Sequence, residues 1–133
     1  MSSLRVTVSV ALAVLLSAPM ARAVGAIAYN QDTQKYARTF NYSTQSAASQ
    51  AALSQCGYGC KVVLEFSETC GALAADGTRG STLWATGHAE LPDQAGQIAV
   101  NECMANKGGS CARRVFACDG KRYIVGGFVM ASP

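Results

Sequence analysis

The sequence predicts an α+β domain. It should contain two ββαβ-like units related by a pseudo-twofold, with antiparallel strands packed by two helices and stabilised by disulfides. Three observations predict it. Two alanine-bearing stretches, "ASQAALSQC" over 48–56 and "AGQIAVNEC" over 95–103, align Ala, Gln, Ala and Cys in register. Each leads to a second cysteine, Cys60 or Cys111, and then to a β-rich run, "KVVLEF" or "ARRVFA". The halves open on "GAIAY" from Gly25 and "GALAA" from Gly71, and each closes on a third cysteine, Cys70 or Cys118. Self-similarity of this kind marks a repeated supersecondary unit, and two copies are too few for a solenoid, so they should share one core.

The chain begins "MSSLRVTVSVALAVLLSAPMARA". An early Arg5, an apolar run from Val6 to Leu16 and the small-residue site at Ala21 and Ala23 follow the order of a secretory signal peptide. The run is about half the roughly 20 residues that a bilayer span needs, so no stable membrane anchor is expected. Cleavage after Ala23 would leave residues 24–133 as a single exported domain. It would also remove Arg5 and Arg22. Nine cationic side chains would then face eight anionic ones, and the net charge of +3 would fall to about +1. That balance argues against a nucleic-acid partner, which needs a concentrated basic surface. Arg113, Arg114, Lys121 and Arg122 form a local basic set, expected to be a solvated edge that discourages strand pairing.

Each element has a local reason. Strands are expected over 26–30, 36–41, 61–66, 72–76, 82–86, 112–118 and 122–130. Ser43 and Thr44 are N-cap candidates for the first helix, because their hydroxyls accept from unpaired N–H groups. Ala48, Ala51, Ala52 and Cys56 then fall on one helical face. Gly57 can take the positive φ that stops the helix. The second helix has Pro92 in its first turn, where a missing N–H is harmless, and Asp93 beside the positive end of the dipole. Ala95, Ile98, Ala99 and Cys103 form its expected inner stripe, and Gly108 and Gly109 its end. Small inner residues imply close backbone approach to a sheet. "ADGTRG" and "CDGKR" carry Asp-Gly hairpin signals. The last strand contains Gly126 and Gly127, expected as a bulge or bend.

Six cysteines in an exported chain favour disulfides. Four of them would satisfy zinc arithmetically. However, the spacings depart from the close pairs of structural zinc sites, and two cysteines would be left over. A redox pair is disfavoured because these thiols end helices, where the dipole opposes thiolate. Fifteen pairings exist. The repeat suggests Cys56 with Cys60, Cys103 with Cys111, and Cys70 with Cys118, the last joining equivalent strand ends across the pseudo-twofold.

"GAIAY", the first alanine-rich helix, "CGYGCKVVLEF", "CGALAA", the second helix and "VFAC" occur in this order over about Gly25 to Cys118. The sequence thereby resembles a family of small exported bacterial domains classed as a domain of unknown function. The resemblance implies a secreted or periplasmic domain and supplies no catalytic residues. The tail "DGKRYIVGGFVMASP" is additional to the family pattern.

No catalytic constellation is legible. His88 has Glu90 and Asp93 nearby in sequence, but Ser81 lacks a nucleophile-elbow context. Glu65 and Glu68 would be a carboxylate pair only if brought to the right separation. No phosphate loop, metal-binding histidine cluster or dinucleotide fingerprint occurs, so neither metal nor cofactor is implied. Tyr29, Tyr36, Phe40, Tyr42 and Trp84 are expected in the core or in cross-strand pairs, with Trp84 buried. Tyr58 is different. It sits between two glycines in the tight loop of Cys56 and Cys60, where its ring has little to pack under. It is the candidate partner contact. The functional expectation is an uncharacterised non-enzymatic binding domain that engages another exported protein, as an inhibitor or immunity-type partner would. The alternatives are a secreted effector and an envelope structural protein.

Overall fold

The computed structural model describes residues 22–120 and the backbone of two further strands, Arg122–Val125 and Phe128–Ala131. Residues 1–21, most of the signal peptide expected over 1–23, lie outside the described residues. The elements run β1 (Val24–Tyr29), β2 (Tyr36–Tyr42), α1 (Gln45–Cys56), β3 (Lys61–Ser67), β4 (Cys70–Asp76), β5 (Trp84–Ala89), α2 (Pro92–Ala105), β6 (Cys111–Cys118), β7 (Arg122–Val125) and β8 (Phe128–Ala131).

The first six strands form two antiparallel sheets of three, ordered β2-β1-β3 and β5-β4-β6. The two ββαβ units thus share element order and strand order. Each centre strand, β1 or β4, is buried along its whole length, because both faces are covered. Val24, Ala26 and Ala28 of β1 face α1, packing with Ala48, Ala52 and Cys56. Ala72 and Ala74 of β4 face α2, packing with Ala95, Ala99 and Cys103. The intervening residues, Ile27 and Tyr29 on β1 and Leu73 and Ala75 on β4, meet between the sheets with Phe66, Val115 and Ala117. The layers are therefore helix, sheet, sheet, helix. Between the sheets β1 lies near β4, β2 near β6 and β3 near β5, the exchange a twofold axis produces.

Alanine on both inner surfaces lets the helices approach closely. A Cβ added at Gly87 of β5 would stand 2.5 Å from the Ala95 carbonyl oxygen of α2. Ile98 accordingly departs from the expected inner stripe. It is 42 % exposed, because the helix–sheet gap admits only small side chains at its centre. One buried polar group ties the first unit together. The Thr39 hydroxyl donates to the Ala48 carbonyl at 2.8 Å and accepts from the Ala26 N–H at 3.2 Å.

Caps explain the helix limits. Thr44 accepts from the Ala47 N–H at 3.2 Å, so α1 starts at Gln45, a turn earlier than the alanine stripe. Gly57 ends it at φ 97°. Pro92 opens α2 with no side-chain cap. Lys107, at φ 70°, takes a left-handed turn just before the glycines expected to end α2.

The single strand expected over 122–130 is instead two. β7 and β8 pair antiparallel from Arg122–Ala131 to Val125–Phe128. Gly126 and Gly127, where a bulge or bend is expected, lie outside the described residues.

Candidate functional site

Three disulfides brace the fold: Cys56–Cys60, Cys103–Cys111 and Cys70–Cys118. The first two pin the end of each helix to the start of the following strand. The third does not cross between the units. Cys70 and Cys118 are direct partners in the β4–β6 ladder, at 4.0 Å between Cα atoms, inside the second sheet. In the first sheet the equivalent partners are Val24 and Ser67. Cys70 therefore opens the second unit rather than closing the first. Crosslinks of this kind indicate an oxidising, non-cytoplasmic environment.

The Cys56–Cys60 ring holds Tyr58 with its side chain fully exposed, at 103 % relative accessibility. The loop is tied to the first sheet by Asn30, whose Nδ2 donates to the Tyr58 carbonyl at 3.3 Å. Beside it lies a cleft of about 140 Å³ lined by Asn30, Lys61, Val63 and Trp84. Trp84 is half-buried rather than fully buried. Its ring stands edge-on to Tyr29 at 6.1 Å, and its Nε1 donates to Gln31 at 3.3 Å.

A larger groove, about 780 Å³, lies along β2 and β6, each an edge strand of its sheet. Arg38, Phe40, Arg113, Arg114 and Phe116 line it. Arg38 and Arg113 both lie over the Phe116 ring, with guanidinium carbons 5.7 and 5.1 Å from its centroid. Arg38 Nη1 also donates to the Phe116 carbonyl. Arg113 pairs with Asp93 at 3.0 Å on the rim. Arg114 is not the solvated edge charge expected of it. It is half-buried, and its Nε is buried without an acceptor among the described residues. The Tyr29 hydroxyl is likewise buried and unpaired. Burial pushes that hydroxyl above its ordinary pKa, and the charge of Arg114 acts in the opposite direction. Lys121 and the Arg122 side chain lie outside the described residues.

Two buried carboxylates sit elsewhere. Asp76 accepts from the Thr78 N–H and hydroxyl, the Ser81 hydroxyl, and the Gly109 and Ser110 N–H groups. These bonds, led by the Thr78 N–H, hold its pKa well below the usual carboxylate range. They also join the β4–β5 loop to the loop before β6. Asp119 accepts the Asn41 N–H at 2.8 Å, while Asn41 Oδ1 accepts the Gly120 N–H at 2.7 Å. Burial raises the Asp119 pKa, and the Asn41 N–H opposes that shift.

The catalytic candidates Ser81, His88, Asp93, Glu65 and Glu68 are spread over different elements and loops. Ser81 is engaged with Asp76, and Asp93 with Arg113. His88 is exposed on β5, opposite Gly71. Glu65 is exposed and accepts from Ser49 at 2.8 Å. Glu68 is exposed at φ 54° in the turn after β3. Among the described residues no group of three or more His, Cys, Asp or Glu is placed to hold a metal ion. The sequence reading missed Asp76, Asp119 and the groove. The first hid inside a hairpin signal. Nothing local announces that Arg38 meets Phe116, 78 residues away.

A profile described as "Domain of unknown function (DUF4189)" matches residues 24–118. The chain belongs to this family. The DUF4189 match starts with β1 and stops with β6, so it takes in both sheets and both helices and leaves the β7–β8 hairpin outside. No curated protein and no solved structure matches the chain.

Proposed function

We propose that this DUF4189 chain is an exported, non-enzymatic binding domain that engages another exported protein through Tyr58. The observation that carries the reading is the full exposure of the Tyr58 ring on a disulfide-closed loop. An aromatic anchor on a preordered loop loses little conformational freedom on binding, and tyrosine is enriched at interface cores. The neighbouring cleft with Trp84 and Lys61 extends the surface. Export is supported by the signal-peptide pattern of residues 1–23, by three disulfides, and by a first strand that starts directly after the expected cleavage site. The similar units are read as copies of one ancestral ββαβ segment sharing a core.

The test is affinity capture from periplasmic and secreted extracts, with the oxidised protein as bait. One stoichiometric protein should be retained, and Tyr58→Ala should weaken its binding roughly tenfold or more, the size of an aromatic hot spot. A retained partner indifferent to Tyr58→Ala would remove the assigned contact. Empty columns with both extracts would remove the binding reading and favour an envelope structural role.

A further inference from the structure

We propose that the groove between β2 and β6 is a second binding site, independent of Tyr58, and that it takes an extended acidic peptide segment of a partner protein. The two units supply an internal comparison. A twofold relates the β2–β6 contact to the β5–β3 contact, so equivalent positions can be read from the strand registers. Arg38 is the β2 partner of Ile27, and the equivalent β5 partner of Leu73 is Thr86. Arg113 is the β6 partner of Ala74, and the equivalent β3 partner of Ala28 is Val62. Arg114 is the residue skipped by the β6 register shift, and the β3 shift skips Val63 at the equivalent place. All three arginines thus stand where the equivalent strands carry threonine or valine. The fold does not need cations at these positions.

Arg114 makes the strongest case. A bulge re-aims the side chain that it carries. Val63, on its bulge, packs between the sheets, whereas Arg114 brings a charge to the same depth. Its Nε is buried and unpaired, and buried donors are normally satisfied. The Nε is itself closed to the groove, so a ligand would pair with the guanidinium through the atoms by which Arg114 lines it. A surface edge guard would keep its charge in water.

The shape selects the ligand. Guanidinium groups match carboxylates with paired N–H donors. β2 and β6 are both edge strands, and the β2 wall from Tyr36 to Phe40 is roughly 13 Å long at about 3.3 Å per residue. That length suits an extended chain laid along the edge, with backbone groups facing backbone and alternate side chains facing the arginines. The Phe40 ring offers apolar contact to the residues between.

The experiment uses the disulfide-bonded protein and a fluorescent peptide of about eight residues alternating glutamate and valine, read by anisotropy. A lysine–valine peptide and tripolyphosphate serve as comparisons. The acidic peptide should bind saturably, lose affinity as salt rises, and bind roughly tenfold more weakly to Arg114→Gln. Amide shifts in the unaltered protein should concentrate at 36–40 and 113–116, which tests the site even if Arg114→Gln folds poorly. No saturable binding up to millimolar peptide would overturn the proposal. So would equal binding of the lysine peptide, unchanged affinity in a folded Arg114→Gln, or shifts elsewhere. Binding of tripolyphosphate without the peptide would also overturn it, in favour of a phosphate site.

Discussion

At the scale of single residues, the two buried carboxylates act on stability with opposite signs. The Asp76 pKa is depressed in the folded state by N–H and O–H donors, the Thr78 N–H first. Its contribution is complete above the ordinary carboxylate value near 3.9 and is lost as the pH falls below it. The Asp119 pKa is raised by burial. The folded protein then holds a proton that the unfolded chain has released, so stability declines as the pH rises from about 4 toward the raised value. Urea denaturation across pH should therefore show two limbs that separate by mutation. Asp76→Asn should flatten the acid limb below about pH 4 and lower stability at neutral pH, since the amide offers one acceptor oxygen where the carboxylate offers two. Asp119→Asn should flatten the decline above about pH 4, because the amide still accepts from Asn41 and has no charge to bury. An unchanged acid limb in Asp76→Asn would show that the loop network is not what acid breaks.

At the scale of elements, the alanine stripes, Thr44, Pro92 and Gly57 made both helices legible, since each signal is local. Element ends were less so. The sequence places glycine at 108 and 109, and the helix-stop rule assigns those positions the left-handed turn. Lys107 takes it instead, and Gly108 has another role. A Cβ there would stand 2.2 Å from Cys111 Sγ and 2.9 Å from the Cys103 carbonyl oxygen. Gly108→Ala should therefore strain or prevent the Cys103–Cys111 bond, at a cost of about 1–3 kcal/mol or more if the corner cannot shift. Thiol titration of the native protein should find free thiols in that variant. A fully oxidised variant of unchanged stability would show that the corner yields. The stacking of two sheets was harder to read than the helices. Alternation normally marks a half-buried strand, but β1 and β4 are covered on both sides and read as continuous apolar runs. The groove was invisible for a different reason. Arg38 and Arg113 flank one ring only because β2 and β6 meet, and that contact is set by the packing of the sheets.

At the scale of the whole molecule, the core explains why the crosslinks matter unequally. Its helix-facing layers are mostly alanine, and its largest fully buried apolar side chains, Ile27 and Leu73, meet between the sheets. Alanine buries little area per residue, so the hydrophobic term is modest for a chain of this size. The units are braced differently. Each has its helix-end disulfide, but only the second has a bond between ladder partners, where the first has Val24 and Ser67. In the chain-entropy account, Cys70–Cys118, spanning 48 residues, stabilises by about 4 kcal/mol, against about 2 kcal/mol for the four-residue span of Cys56–Cys60. Cys70 and Cys118 are also fully buried, so truncation adds a packing loss. Cys70→Ala with Cys118→Ala should therefore destabilise more than Cys56→Ala with Cys60→Ala. It should also raise the urea m-value more, because the longer released loop exposes more surface in the unfolded chain. If the Cys56/Cys60 variant loses as much, the short loop must support native packing beyond its entropy. If neither variant shifts m, the unfolded state is already compact, and stability resides in the folded contacts of the two sheets.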